Sequence, residues 1–326
     1  MSPSYRFVSV IIPTCNRSQS LKTTLESLFE LDYPRDRLEI IVVDNCSTDG
    51  TRSVVETCGI QSKFPVRYVY EGRQGSHFDR NTGAKHATGD ILYFTDDDMI
   101  ADPALLTHLI PVFNMGYDVA SATGRVLPKW EANPPPWVLR YFCNGLLSLQ
   151  DRPEEIIISP DNIGIYSCHL AVLKNIFLRS GGFNPDLVNG ELVGNNEVGL
   201  NEKIKKLGYR FAYVREAVTH HVIPPSRMTQ AYLNRRMAHQ GVSDSYTQYW
   251  LQRPGTLRLV VVIAEQFLGL NRAAFGYLVR LLLRQDSWHL YCARIHSCTS
   301  WLKCYGKLCL NARQRRLVLR DNWLEG

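Results

Sequence analysis

The first hundred residues alternate between short, apolar, β-branched runs and longer segments with the apolar period of a helix. The apolar runs cover residues 8–12, 39–43, 66–70 and 90–94, and the helical segments cover residues 20–29, 50–58 and 81–87. This order predicts a βαβαβαβ unit. Because the apolar runs are nearly continuous, we expect a Rossmann-like, mostly parallel sheet with helices on both faces, which is an α/β fold.

The pattern changes after residue 100. A strand is predicted at residues 119–122, an irregular Pro-rich segment at 128–160, a helix at 197–207 and a strand at 209–214. From residue 228 onward the pattern is helical and basic. We therefore predict an α/β domain over residues 1–227, with halves at 1–125 and 126–227, and a mainly helical C-terminal extension over 228–326. In the irregular segment, Trp130 or Trp137 could stack on a sugar, or could anchor the loop by burial.

Three polar clusters directly follow apolar runs. Their sequences are Pro13-Thr14-Cys15-Asn16-Arg17, Asp44-Asn45-Cys46-Ser47-Thr48-Asp49-Gly50 and Asp96-Asp97-Asp98. The carboxyl ends of parallel strands lie at one edge of a sheet, where ligands of open α/β folds bind. The sequence therefore predicts one ligand crevice that all three clusters border.

The acidic cluster indicates a cation. If the strand continues through it, Asp96 and Asp98 project to one side and Asp97 points away. Two carboxylates on one side can share a hard divalent ion, and the ion can neutralise a diphosphate. The alternative is a solvated acidic turn.

Charge is divided unevenly along the chain. Residues 1–200 contain 17 basic and 24 acidic residues, whereas residues 201–326 contain 20 basic and 7 acidic residues, a net charge of +13. The C-terminal part is therefore expected to face an anionic partner, either a membrane surface or a charged substrate. We expect no nucleic-acid partner, because no helix-turn-helix, zinc-finger or RNP-like signature organises these charges.

Cysteine spacing and the chain ends bear on localisation. The nine cysteines have no C-x-x-C spacing and are expected to be reduced. The first predicted strand begins at residue 7, which leaves no room before it for the charged and apolar regions of a secretory signal. Charged residues interrupt the most apolar stretch of the chain, so we expect no membrane-spanning segment. These features predict a cytoplasmic protein, or one peripheral to the inner face of the cell membrane.

That apolar stretch, residues 257–283, has Arg258, Glu265 and Arg272 at heptad spacing, and basic residues follow it. The spacing predicts an amphipathic helix. Together with its basic flank, the region 257–320 could lie in an anionic membrane interface. The alternative is a helix packed on the rest of the protein with a solvated basic face.

Taken together, the ordered motifs of residues 7–240 resemble family 2 of the nucleotide-sugar glycosyltransferases, which have the GT-A fold. Besides the three clusters, the motifs are Arg80-Asn81-Thr82-Gly83, Ala87-Thr88-Gly89-Asp90, Gly181-Gly182-Phe183 and His221-Val222-Ile223-Pro224-Pro225-Ser226-Arg227. The resemblance implies a nucleotide-sugar-binding half at 1–125 and an acceptor half at 126–227. It also implies inverting transfer from a nucleotide-diphosphate sugar, with UDP favoured, to a hydroxyl of a saccharide or lipid-linked saccharide. Non-processive transfer is expected, because the sequence has neither predicted membrane spans nor a Gln-x-x-Arg-Trp motif.

The resemblance also implies roles for individual residues. Binding of the nucleotide sugar is expected of Pro13, Thr14, Asn16, Arg17, Asp44, Asn45, Arg80, Asp96 and Asp97. A divalent cation, Mg²⁺ or Mn²⁺, is expected to be held by Asp96, Asp98 and His221. Each role has a structural alternative: Asp44 and Thr14 as turn formers, Arg80 as a solvated helix charge, and His221 as a packed histidine.

The sequence departs from the family pattern at the catalytic base. The family commonly has Glu-Asp there, and this chain has Asn196-Glu197. Glu197 is therefore expected to be the base, with a side chain one methylene longer than usual. The alternative is an acidic residue in the first turn of a helix, favoured by the helix dipole.

Two other functions share parts of this pattern. A sugar nucleotidyltransferase would show a Gly-rich loop bearing a Lys near the N-terminus, and this chain has Pro13-Thr14-Cys15-Asn16-Arg17 instead. A catalytically inactive carbohydrate- or membrane-binding protein could have the same fold, and turnover assays would separate it from an enzyme.

Overall fold

The sheet of this protein is mixed, because it contains both parallel and antiparallel strand pairs. The computed structural model describes residues 5–185, 195–253, 256–320 and 322–324. The strands in this part of the chain are β1 (Val8–Thr14), β2 (Leu38–Asp44), β3 (Val66–Tyr70), β4 (Ile91–Thr95), β5 (Met99–Ala101), β6 (Val119–Trp130), β7 (Ile156–Ser159), β8 (His169–Leu173) and β9 (Arg210–Ile223). They form one sheet in the order β3-β2-β1-β4-β8-β6-β9-β5, and β7 pairs with β9.

The N-terminal strands have the predicted arrangement. β1 pairs in parallel with β2 and β4, and β2 pairs in parallel with β3. Beyond β4 the sheet includes antiparallel pairs, since β8 runs antiparallel to β4 and β6 and since β5 and β7 run antiparallel to β9. The predicted α/β class is confirmed, and the parallel βαβ order forms the half of the sheet that carries the three polar clusters.

Helices cover both faces of the sheet and form a C-terminal layer. They are α1 (Ser18–Phe29), α2 (Thr51–Gln61), α3 (Ser76–His86), α4 (Leu105–Leu109), α5 (Pro136–Tyr141), α6 (Lys174–Arg179), α7 (Asn196–Lys206), α8 (Gln230–Gln252), α9 (Thr256–Leu282), α10 (Trp288–Leu310) and α11 (Ala312–Val318). Short 3₁₀ helices lie at Arg35–Arg37, Ile110–Asn114, Gly145–Leu147 and Pro225–Arg227.

Two apolar clusters explain why the N-terminal runs are continuous. Val10 of β1 packs in one cluster with Leu21 and Leu25 of α1, whereas its neighbour Ile11 packs in the other with Ala84 of α3. Successive side chains of a strand point to opposite faces, so a strand covered on both faces needs apolar residues at every position. The motif residue Gly83 lets α3 approach this sheet closely, because a Cβ at this position would overlap Cγ2 of Ile11.

The segment 128–160 contains regular structure, so its assignment as irregular is wrong. β6 continues to Trp130 along β9, and α5 and β7 follow. The sequence did not reveal these elements because they are short and flanked by proline. Trp137 stacks on His289 with 3.9 Å between ring centroids, and Trp130 packs against an apolar cluster. Both tryptophans therefore fit the anchoring alternative.

The C-terminal helices form a layer in which α10 packs against α8 and α9. The expectation that no segment could cross a bilayer is wrong by length and composition, because Arg258–Leu282 is long and apolar enough to do so. Its four charged residues in 25 positions leave the helix apolar enough to meet this criterion. The nine cysteines are free thiols, as predicted.

Candidate active site

The three polar clusters meet at the carboxyl edge of the parallel strands. Thr14, the last residue of β1, donates a hydrogen bond from Oγ1 to Oδ2 of Asp97 at 2.7 Å. The side chain of Asn16 accepts from the backbone N–H of Thr48 at 2.7 Å, and Asn16 has the left-handed φ of 52°. These bonds connect the loops after β1, β2 and β4, as their sequence positions predict.

A cleft of about 350 Å³ opens at this edge. Its lining includes seven of the nine residues predicted to bind the nucleotide sugar: Pro13, Thr14, Arg17, Asn45, Arg80, Asp96 and Asp97. Asp98 and His221, which were predicted to bind metal, line the same cleft. The structure therefore brings the predicted donor and metal residues together.

Asn16 and Asp44 are absent from that lining. Asp44 is buried, and its two carboxylate oxygens accept hydrogen bonds from the hydroxyl of Tyr68 at 2.6 Å and from the backbone N–H of Ser47 at 3.0 Å. These contacts fit the alternative in which Asp44 forms the turn after β2. Nucleotide binding by Asn16 and Asp44 stays a prediction.

Arginines neutralise the acidic cluster. Nη1 and Nη2 of Arg17 contact Oδ1 of Asp97 at 2.5 Å and Oδ2 of Asp98 at 2.9 Å. Asp96 contacts Nη2 of Arg80 at 2.5 Å. The expectation that Asp97 points away is wrong, because β4 ends at Thr95 and the chain turns there. The alternative of a solvated turn does not fit either, since Asp97 and Asp98 are 3% and 4% exposed.

Burial and charge act differently on two neighbouring carboxyls. Burial raises the pKa of Asp97 to about 7, against the opposing charge of Arg17. Burial also raises the pKa of Asp98, but the charges of Arg227 and Arg17, which both contact its carboxylate, outweigh burial and hold that pKa below its usual range. Asp98 is therefore a permanent anion in the cleft.

The surroundings of His221 test whether a divalent cation would fit. Its Nδ1 lies 2.8 Å from the carbonyl oxygen of Leu147, which assigns the proton to Nδ1 and leaves the lone pair of Nε2 facing the cleft. Nε2 lies 3.5 Å from Oδ2 of Asp98. One cationic group, the guanidinium of Arg227, already contacts both atoms, at 2.6 and 2.7 Å.

An imidazole nitrogen and a carboxylate oxygen at this separation suit Mg²⁺ or Mn²⁺, so the residues fit such an ion. In the part of the chain that the structure describes, no group of three or more His, Cys, Asp or Glu residues is arranged to hold a metal. Diphosphate oxygens and water would therefore have to complete the coordination, which is the usual arrangement for Mg²⁺ at phosphate sites.

A second cavity, of about 540 Å³, adjoins the first. Arg80 and Asp96 line both cavities and form part of their common wall. Glu197, in the first turn of α7, lines only the second cavity. Two chemically different compartments thus share one wall, with the acidic cluster on one side and Glu197 on the other.

Glu197 is held by a serine. Its Oε1 accepts hydrogen bonds from the backbone N–H of Ser167 at 3.0 Å and from Oγ of Ser167 at 2.6 Å. Both of these hydrogen bonds go to the same oxygen, Oε1. Burial raises the pKa of Glu197, but the charge of His77, the Ser167 hydrogen bonds and the charge of Arg80 together lower it. The carboxylate is therefore ionised and able to accept a proton.

Sequence reasoning missed the contribution of α8. Tyr232 lines the first cavity, His239 and Gln240 line the second, and Arg236 lines both. No local motif marks these residues. The domain boundary after residue 227 stays a prediction, but α8 forms a wall of both cavities.

Comparison with known proteins places this architecture in a family. The model of "Glycosyl transferase family 2" matches residues 9–181. Glycosyltransferase AglE of Haloferax volcanii is 35% identical over 264 residues, which are 81% of this chain and 81% of AglE. A GalNAc(5)-diNAcBac-PP-undecaprenol beta-1,3-glucosyltransferase of Campylobacter jejuni is 35% identical over 129 residues, 39% of this chain and 40% of that protein.

The fold is also that of a solved mannosyltransferase, PcManGT from Pyrobaculum calidifontis, in complex with GDP-Man and Mn²⁺. The two structures match with a TM-score of 0.59 and 24% sequence identity, over 99% of this chain and 86% of that one. The GT-A fold expected from the sequence is thereby confirmed. The chain belongs to glycosyl transferase family 2 and is a glycosyltransferase.

Proposed function

We propose that this glycosyltransferase moves a sugar from a nucleotide-diphosphate sugar in the 350 Å³ cleft to an acceptor hydroxyl in the 540 Å³ cavity. The observation that carries the proposal is the wall shared by the two cavities. It puts the arginine-paired aspartates on one side and the ionised Glu197 on the other, so donor and acceptor would meet at Arg80 and Asp96.

The donor would be held by its diphosphate. Arg17 and Arg227 border the cleft and can donate to phosphate oxygens, and Thr14 and Asn45 lie beside them. Asp98 and His221 would hold a divalent cation, while Asp96, which pairs with Arg80, stays a predicted third ligand. A bound Mg²⁺ or Mn²⁺ would supply a positive charge that stabilises the departing nucleoside diphosphate. The Mn²⁺ and GDP-Man in the structure of PcManGT support this assignment, while our preferred nucleotide is UDP.

Glu197 would act as general base. Ser167 fixes Oε1, so that Oε2 can take the proton of the acceptor hydroxyl. The hydroxyl oxygen would then attack the anomeric carbon from the face opposite the diphosphate. A single displacement of this kind inverts the anomeric configuration, and the acceptor would leave after one transfer.

The acceptor would be a saccharide or a lipid-linked saccharide. Its cavity is lined by groups that hydrogen-bond sugars, including Asn162, Tyr166 and Gln240. The named acceptor of the Campylobacter relative is linked to undecaprenol, which supports a role in polysaccharide biosynthesis. An enzyme acting on such acceptors would work at the membrane, and the basic region 257–320 is where we place its contact with an anionic surface.

A donor panel tests the proposal. Purified protein is mixed with UDP- and GDP-sugars, Mn²⁺ or Mg²⁺, and a panel of saccharide and lipid-linked acceptors, and released nucleoside diphosphate is measured. We expect release with at least one UDP-sugar, dependent on both metal and acceptor. NMR of the product anomer should show inversion. Retention of configuration, or full release in excess chelator, would contradict the proposed mechanism.

A further inference from the structure

The orientation of α9 is unusual for the surface of a protein in water. Eight of its exposed residues recur every three or four positions and form one stripe: Val260, Ala264, Phe267, Leu268, Asn271, Phe275, Leu278 and Leu282. The charged residues Arg258, Glu265 and Arg272 are exposed to one side of this stripe. Phe275 is 71% exposed and Leu282 is 82% exposed. The polar side chain in the stripe, Asn271, donates its Nδ2 hydrogen bond to the carbonyl of Phe267 in the same helix. We call this stripe the outward face.

An ordinary surface helix packs its apolar side inward. Here the inward side carries small residues that pack on α10, since a Cβ at Gly276 would overlap the ring of Tyr291 and a Cβ at Gly269 would contact Sγ of Cys298. Val262 packs with Trp301 and Tyr305 farther along. The outward face is therefore a second apolar surface, about 40 Å long for a helix of 27 residues.

Beside this face is a groove of about 550 Å³ between α9 and α10, bordered by Arg272, Arg280 and Arg294. The guanidinium groups of Arg280 and Arg294 lie 4.2 and 5.5 Å from the centroid of one ring, that of Tyr291. The nearby Asp286 pairs with Arg140 instead. In the part of the chain that the structure describes, none of the three arginines forms an ion pair with a carboxylate. Like charges gathered without a counterion favour an anionic ligand.

We propose that α9 lies in the surface of an anionic lipid bilayer, with the outward face in the acyl region and a lipid phosphate in the arginine groove. This inference rests on the proposed function, because it specifies the membrane surface at which that reaction takes place. The net charge of the C-terminal part, +13 over residues 201–326, complements anionic headgroups.

The packing of α9 against α10 fits a helix that lies on the membrane surface better than one that crosses the bilayer. α10 contacts α9 from Tyr291 to Tyr305, so a spanning α9 would carry the adjacent charges of α10 into the hydrocarbon. Arg294 and Lys303 are exposed on α10, and basic residues at the centre of a bilayer are strongly disfavoured. An interfacial helix keeps them at the level of the headgroups.

Flotation of the full-length protein tests the proposal, using phosphatidylcholine vesicles with and without phosphatidylglycerol and neither donor nor acceptor. We expect wild type to float with the anionic vesicles. Phe267→Ser combined with Phe275→Ser should weaken binding at least about 100-fold. Arg272→Gln combined with Arg294→Gln should weaken it roughly 30-fold. The matched control, Arg35→Gln with Arg37→Gln, removes the same charge from the exposed 3₁₀ helix Arg35–Arg37, outside the C-terminal helices, and should change binding by less than about 3-fold.

Three results would overturn the proposal. The first is wild type that does not float with anionic vesicles. The second is an equal loss of binding in the groove pair and in the control pair, since net charge alone would then account for binding. The third is a dimer in solution, measured by light scattering, that the Phe267 and Phe275 substitutions dissociate, since a second copy would then cover the outward face. Transfer to a soluble acceptor, assayed without vesicles, reports separately on the proposed function. Unchanged thermal melting of each variant would exclude misfolding.

Discussion

The two cavities hold their carboxylates in different ways. In the donor cleft, Asp96, Asp97 and Asp98 each contact an arginine guanidinium. In the adjoining cavity, Glu197 accepts its hydrogen bonds from the neutral donors of Ser167. The carboxylates that line the two neighbouring cavities therefore differ in the groups that contact them.

This difference separates two uses of an acid. Asp98, which contacts two guanidinium groups, stays ionised and serves as a fixed charge, whereas burial raises the pKa of Asp97 to about 7 despite its contact with Arg17. A carboxylate held by a neutral hydroxyl and a backbone N–H can accept a proton while one oxygen stays in place. The local contacts thus favour charge stabilisation in the donor cleft and proton transfer at Glu197.

The largest effect is expected for Asp98→Asn, which tests the fixed-charge side of the comparison. The change removes the anion that faces His221 and Arg227, so turnover should fall by about 10⁴-fold or more and Mn²⁺ binding should weaken. The free energy of unfolding should also fall by about 1–3 kcal/mol, because two guanidinium groups lose a buried partner. Turnover assays, Mn²⁺ titration and urea unfolding measure the three effects. Asp36→Asn, at an exposed acid, is the control, and a fully active Asp98→Asn protein would refute the role.

The next largest effect is expected for Glu197→Gln, which tests the proton-transfer side. Gln keeps the shape and can still accept from Ser167, but it cannot take a proton, so kcat should fall about 10²–10⁴-fold. Donor binding should change little. Glu197→Asp should be milder, because it provides the carboxylate that the family commonly uses.

Normal transfer by Glu197→Gln, accompanied by lower thermal stability, would instead identify Glu197 as a helix-end acid. The base would then have to be sought elsewhere, for instance at Glu191, which lies outside the described residues.

The smallest effect is expected for Ser167→Ala, which sharpens the comparison by removing one neutral donor. The backbone N–H remains, so kcat should fall only about 10-fold. Loss of a hydrogen bond to the ionised form raises the pKa of Glu197, and the acidic limb of the pH–rate profile should therefore move to higher pH. Ser243→Ala, in the same cavity wall, should leave that limb in place. An unmoved limb in Ser167→Ala would mean that Ser167 does not position the base.

The donor side of the site was predictable because its residues follow strands. Thr14 and Asp97 are 83 positions apart, yet each comes at the end of a strand, and β1 and β4 are parallel neighbours. Pairing of β1 with β4 therefore brings together two motifs that can each be recognised locally but lie far apart in the sequence. The side on which each aspartate projects was not predictable, since the strand ends one residue before Asp96.

The helical parts were less predictable. The periodicity of apolar residues predicted an amphipathic helix at α9. It could not show that the apolar side faces outward, because periodicity does not reveal which side of a helix packs against other elements. Likewise nothing in the sequence around Arg236 shows that α8 packs beside the parallel strands and reaches both cavities. Such contacts arise from packing between distant segments.

The shared wall also bears on how enzymes of this architecture diversify. Asn162, Tyr166, His239 and Gln240 line the 540 Å³ cavity, the proposed acceptor site, and not the 350 Å³ cleft proposed for the donor. Substitutions at these positions can change which hydroxyl is glycosylated while the nucleotide sugar stays the same. Arg80, by contrast, belongs to both compartments. If the proposed function holds, single substitutions at the outer walls of the acceptor cavity could be selected for new glycan linkages. Substitutions in the shared wall are more constrained, because each of them would affect both substrates.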